Sequence, residues 1–123
     1  MQNGFNAYAA AAKSAQSTVS PRDLEANLLI KAATRLQAVA DDWDGRANEL
    51  DEALTYNRRL WTLLVNAVIA EDNPLPVAIK TNILALANFI FNQTFKIAAD
   101  PQPQSLNVLV GINRDIAAGL RGR

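Results

Sequence analysis

The chain of 123 residues contains no cysteine and no histidine. These two absences exclude disulfides, thiolate nucleophiles, imidazole general bases and ordinary zinc sites. Glycine is scarce, at five residues, and none is grouped into a loop that cradles a phosphate. An excess of either charge is also missing: twelve Lys and Arg balance twelve Asp and Glu. A net-neutral chain is a poor binder of nucleic acid or anionic membrane by bulk charge. There is no Leu-rich secretory segment near the N-terminus. The uncharged stretch 81–95 is too short to span a bilayer and carries several Asn and Gln. No catalytic constellation, metal site or cofactor site is expected. Asp41, Asp42 and Asp44 lack the spacing of a calcium loop and read as a solvated turn.

What is present is half apolar, 50% by count, and rich in Ala and Leu. This composition points to an all-α fold. The expectation is a small single-domain helical bundle of about five helices spanning residues 1–123, with residues 1–18 as an N-terminal arm or short helix. The arm carries Phe5, Tyr8, Ala9 and Ala12 at helical spacing. Ser20, Pro21 and Asp23 form a helix start, with a hydroxyl cap, a proline at the first position and a carboxylate at the positive end of the dipole. Leu24, Leu28, Ala32, Leu36 and Val39 then carry the helical period to about residue 40. A third helix is expected from Arg46 to Ala70, seamed by Leu50, Leu54, Asn57, Trp61, Leu64 and Val68. Asp72-Asn73-Pro74-Leu75-Pro76 stops it. A fourth helix follows from Pro76 to Ala98, and a fifth from Ser105 to Leu120.

Charge is unevenly spread. Between Pro74 and Asn113 only Lys80, Lys96 and Asp100 are charged, whereas the segment 41–52 holds six acids and one Arg. The fourth helix is apolar on two faces: Ile79, Ile83, Leu86, Ile90 and Ile97 on one, Leu84, Phe91 and Phe95 on the other. Such a helix is either central, enclosed by its neighbours, or it presents a face to another protein's helix. Arg58, Arg59 and Arg114 have no acid three or four residues away. A tertiary ion pair, for instance with the acidic 41–52 segment, is favoured for them over a partner contact. Asn57, inside the seam, is expected to bond a backbone carbonyl or cap and fix packing register, and Trp61 is expected in the core rather than as an interface hot spot.

The elements Asn57-Arg58-Arg59-Leu60-Trp61, Asp72-Asn73-Pro74-Leu75-Pro76 and Ile112-Asn113-Arg114 through Leu120 stand together in an order and spacing that resembles the FlaF flagellar proteins of alphaproteobacteria. Tyr8-x-x-Ala11 and Ser20-Pro21-Arg22 are similar to that family's opening. The likeness runs from about residue 5 to residue 120, and the Asp41–Arg46 turn is its least typical part. The resemblance implies a cytoplasmic, non-enzymatic factor that binds flagellin as a chaperone and supports its synthesis and secretion alongside FlbT. It supplies no fixed list of binding residues. Asn57, Pro74, Leu75, Pro76, Asn113 and Arg114 carry the family motif and have structural roles open to them. The partner surface is expected at Leu84, Phe91 and Phe95, with Trp61 and Leu64 as groove floor and Arg58 and Arg59 nearby. The expected ligand is a terminal amphipathic helix of flagellin, with no nucleic acid and no membrane insertion. Direct contact with flagellin message, and a homo-oligomer that covers its own apolar surface, are the competing readings.

Overall fold

The computed structural model describes residues 20–122. The expected helix over 5–16 and the arm over 1–18 lie outside these residues. Four long helices carry the fold: α1 (Pro21–Asp41), α3 (Leu50–Ile69), α4 (Val77–Ala99) and α5 (Leu106–Leu120). A single-turn helix, α2 (Trp43–Arg46), follows α1. No strand occurs among the described residues.

The start of α1 follows from its first three residues. Ser20 is extended (φ −67°, ψ 158°), and its Oγ accepts the Asp23 N–H at 3.1 Å, while Pro21 opens the helix. Ala26, Leu29, Ala32, Ala33, Leu36 and Val39 are buried; Leu24 and Leu28 are only half-buried. The core stripe thus leans toward the alanines. With no atoms beyond Cβ, these let a neighbouring helix approach closely, and α5 packs here more extensively than any other pair of helices.

The Asp-rich break is more helical than its composition suggests. Asp42 leaves the helical region (φ −128°, ψ 58°), and α2 closes when the Arg46 N–H donates to the Asp42 carbonyl at 2.8 Å. A Cβ at Gly45 would meet the Asp42 carboxylate oxygens at 2.7 Å, so glycine fits this tight turn. A 3₁₀ turn over Ala47–Glu49 follows, which moves the start of the next long helix from the expected Arg46 to Leu50. The expected seam of α3 is buried throughout, joined by Ala53 and Leu60.

Asn73 organises the stop after α3. Its Nδ2 donates to the Ala67 carbonyl at 2.9 Å, meeting one of the acceptors a helix end leaves open. Its Oδ1 accepts the Leu75 N–H at 3.0 Å, and Leu75 tucks into the core between exposed Pro74 and Pro76. α4 then runs back along α3. A second proline-bearing connection, with a 3₁₀ turn over Pro103–Ser105, leads into α5. α5 ends where Gly122 takes a positive φ of 77°, a region open to glycine.

The short connections make successive long helices antiparallel. α1 packs against α5 and α3, α3 against α1 and α4, and α4 touches α5 only lightly. Trp61, Leu29, Leu36, Ile83, Ile90, Ile97, Leu106 and Leu109 fill one core. Among the described residues, no helix is long and apolar enough to cross a membrane.

Candidate partner-binding surface

The centre of the bundle holds a polar cluster. The indole N–H of Trp61 can only donate, and it donates to Asn113 Oδ1 at 2.9 Å. That bond fixes the Asn113 amide. Its Nδ2 faces two acceptors, Asn57 Oδ1 at 2.6 Å and the Leu29 carbonyl at 3.4 Å. One orientation therefore joins α1, α3 and α5. Asn57 and Asn113 are fully buried, and among the described residues Asn57 Nδ2 has no partner. Asn57 is buried and hydrogen-bonded as expected, but its partner is the Asn113 side chain rather than a backbone carbonyl or cap, and the same cluster explains Asn113. Trp61 and Leu64, expected as groove floor, are enclosed core residues with 0% and 3% exposure. The reason is geometric: both lie on the α3 stripe that points at the bundle centre, so neither offers a surface to a partner.

The surface beside this centre is apolar. Ile83, Ala87, Ile90, Thr94 and Ile97 form the buried stripe of α4. Val77, Leu84, Phe91 and Phe95 fall within about 40° of one another, roughly a quarter turn away. Phe95 is 81% exposed and Val77 78%, Leu84 is exposed and Phe91 is half-buried. This row lies on the α3 side of α4. The opposite flank, with Gln93 and Ile97, instead lines a depression of about 370 Å³ with Gln102 and Ser105 of the α5 connection. Ile79, read on the same apolar face as Ile83, Ile90 and Ile97, is 43% exposed near the start of α4.

α3 supplies the other wall. The Tyr56 ring marks its α1 side, because Arg35 of α1 lies 4.6 Å from the ring centroid and Lys31 lies 6.0 Å away. Burial raises the Tyr56 hydroxyl above its ordinary pKa, and Arg35 partly opposes this. Half a turn away, facing α4, are Arg58, Val65 and the exposed Ile69. By helical phase, the flanks of these two antiparallel helices make one apolar strip, here called the trough. Ile69 and Val77 lie at the end where Pro74, Leu75 and Pro76 make the connection, and Arg58 lies toward the Phe91–Phe95 end.

Four of the expected partner residues, Arg58, Leu84, Phe91 and Phe95, therefore share one face. Arg59 projects from the back of α3. Arg114 lies on the same flank of α5 as Arg121, whose guanidinium hydrogen-bonds Asn27 of α1, well away from the trough. The expected ion pairs are not made: among the described residues Arg58, Arg59 and Arg114 have no salt bridge, and in the acidic segment Asp42 and Glu49 pair with Arg46 at 3.8 Å. The local residue is simply closer and costs less chain ordering. Sequence reasoning missed Val65, Ile69 and Val77. Their signal was available in the helical phase of α3 and in apolar residues placed at helix ends.

Among the described residues the bundle thus combines a buried Asn–Asn–Trp cluster with an apolar strip along α3 and α4. The family model described as flagellar protein FlaF matches residues 5–120, and the chain belongs to this family. No curated protein and no solved structure matches it. The chain is thus a flagellar protein.

Proposed function

We propose that the chain is a cytoplasmic flagellin chaperone that acts without catalysis and covers a terminal amphipathic helix of flagellin in the α3–α4 trough. The observation that supports this reading is the row Val77, Leu84 and Phe95, which the other described helices leave exposed, with the half-buried Phe91 between them. Flagellin's terminal helices are unpaired until assembly, and an apolar stripe left in water drives aggregation. Burial in a matching trough removes that stripe from water reversibly, with no nucleotide required. Support of flagellin synthesis and secretion, together with FlbT, follows from holding flagellin in a competent state.

Copurification tests the reading. The full chain is expected to retain full-length flagellin and to lose it when one terminal segment is removed. Leu84→Asp with Phe95→Asp should abolish retention while the circular dichroism spectrum stays helical. Equal retention by this variant overturns the assignment of the trough.

A further inference from the structure

The trough carries a charge pattern as well as an apolar one. From Ala53 to Ala70 and from Val77 to Ala99, the two helices hold Arg58, Arg59, Lys80 and Lys96 and no acid. The carboxylates near these two helices are confined to their ends: Asp51 and Glu52 in the first turn of α3, Glu71 and Asp72 in the connection, and Asp100 just after α4. Two of the cations belong to the trough itself. Arg58 shares the flank of α3 with Val65 and Ile69, toward the Phe95 end. Lys80 lies on the trough side of α4, toward the Val77 end. Neither has an ion pair among the described residues. The whole chain is neutral, so this cationic surface is local rather than a bulk property.

We propose that the occupant of the trough is an amphipathic helix whose apolar stripe is flanked by carboxylates, positioned to meet Arg58 and Lys80. This rests on the reading of the trough as a partner site and specifies the chemistry of the partner. From Val77 to Phe95 the apolar row runs for about 27 Å, which an occupant helix of about five turns matches. Charge complementarity selects this occupant over two others. A second copy meeting the same face would set Arg58 and Lys80 against their own equivalents. The chain's own residues 1–19 contain one charge, Lys13, and so bring a further cation rather than an anion. Exposed leucine and phenylalanine side chains along the row favour a protein helix over RNA, whose backbone gains from the cations but not from the apolar wall. Opposed charge sets orientation and encounter rate and is weakened by salt, whereas the apolar contact is not.

The experiment uses the full chain and three fluorescent helical peptides of about 21 residues with one leucine stripe, flanked by Glu, Gln or Lys. Anisotropy titrations are run at low salt and at about 0.5 M NaCl. The Glu peptide is expected to bind at least tenfold tighter than the Gln peptide at low salt, and the Lys peptide weakest. High salt should collapse the gap, and Arg58→Glu with Lys80→Glu should reverse the order. Arg58→Glu alone, at an exposed position, should halve the preference or more and covers the case in which the double variant does not fold. Equal binding of the three peptides, or tightest binding of the Lys peptide, overturns the proposal. So does a single-stranded RNA of about 20 nucleotides that binds tighter than the Glu peptide, or a dimer in light scattering that Arg58→Glu strengthens. Failure of the two readings is separable. Flagellin retained equally by wild type and by Arg58→Glu removes the charge pattern and leaves the chaperone reading. A Glu-peptide preference without flagellin retention does the reverse.

Discussion

At the scale of single residues, Asn113 does the most. It satisfies the Trp61 indole, the Asn57 amide oxygen and the Leu29 carbonyl from one side chain. Its removal leaves buried donors and acceptors without partners, each costing about 1–3 kcal/mol. Asn113→Ala is therefore expected to lose roughly 3 kcal/mol or more in urea denaturation. Asn57→Ala should lose less, because its Nδ2 is already unpartnered. A double-mutant cycle between them should show coupling, whereas additive losses contradict the shared cluster. Tyr56 gives a second test. Its neutral form is favoured by burial, so its folded pKa lies above the unfolded value of about 10. The resulting stabilisation is complete below that unfolded value and is lost as pH rises through the higher folded one. With Tyr8→Phe in place, ultraviolet titration reports Tyr56 alone. Its midpoint should lie above that of a free tyrosine and rise further in Arg35→Gln, since Arg35 pulls it down. A midpoint at or below the free value contradicts the described burial.

At the scale of elements, the helices were legible because helix caps and helical periods are local. Ser20-Pro21-x-Asp23 and the Asn-Pro-Leu-Pro stop depend on neighbours within a few residues, and both act as expected. Asn73→Ala should lose about 1 kcal/mol, seen as a lower urea midpoint with unchanged slope, since it uncouples the α3 end from the Leu75 turn. The start of α3 was not legible. Its position depends on whether Asp42 leaves the helix and on a one-turn helix closed from Arg46 back to Asp42, and composition does not report either. The two faces of α4 were visible as a pattern, but which one is buried is set by where α3 and α5 lie. For that reason Phe95 is exposed while Phe91 on the same face is half-buried against the core, and Ile79 is exposed although Ile83, Ile90 and Ile97 of its own face are buried. An exposed Phe95 also makes a stability prediction: Phe95→Asp should change the unfolding free energy by no more than about 0.5 kcal/mol. A large loss in a thermal melt would mean the ring is packed.

For the whole molecule, the division of labour runs between one core and one uncovered trough. α1 and α5, drawn together by alanines, hold the bundle closed, and the Asn–Trp cluster ties α3 to that pair. α4, anchored mainly to α3, is free to present its second face. Trp61 lies in the core, as its place in the seam leads one to expect, and the groove-floor reading of Trp61 and Leu64 fails because the seam seals the core. Arg114 was grouped with Arg58 and Arg59 by residue type, and only the order of helices around the bundle separates them. The central claim, that the exposed α4 row is where flagellin binds, is tested most directly by a titration of purified flagellin against wild type and Leu84→Asp/Phe95→Asp. Losing two apolar side chains from the interface, at about 1.5–3 kcal/mol each, predicts binding weakened by at least a hundredfold with the melting curve unchanged. Binding within threefold of wild type, with the variant intact, would contradict it.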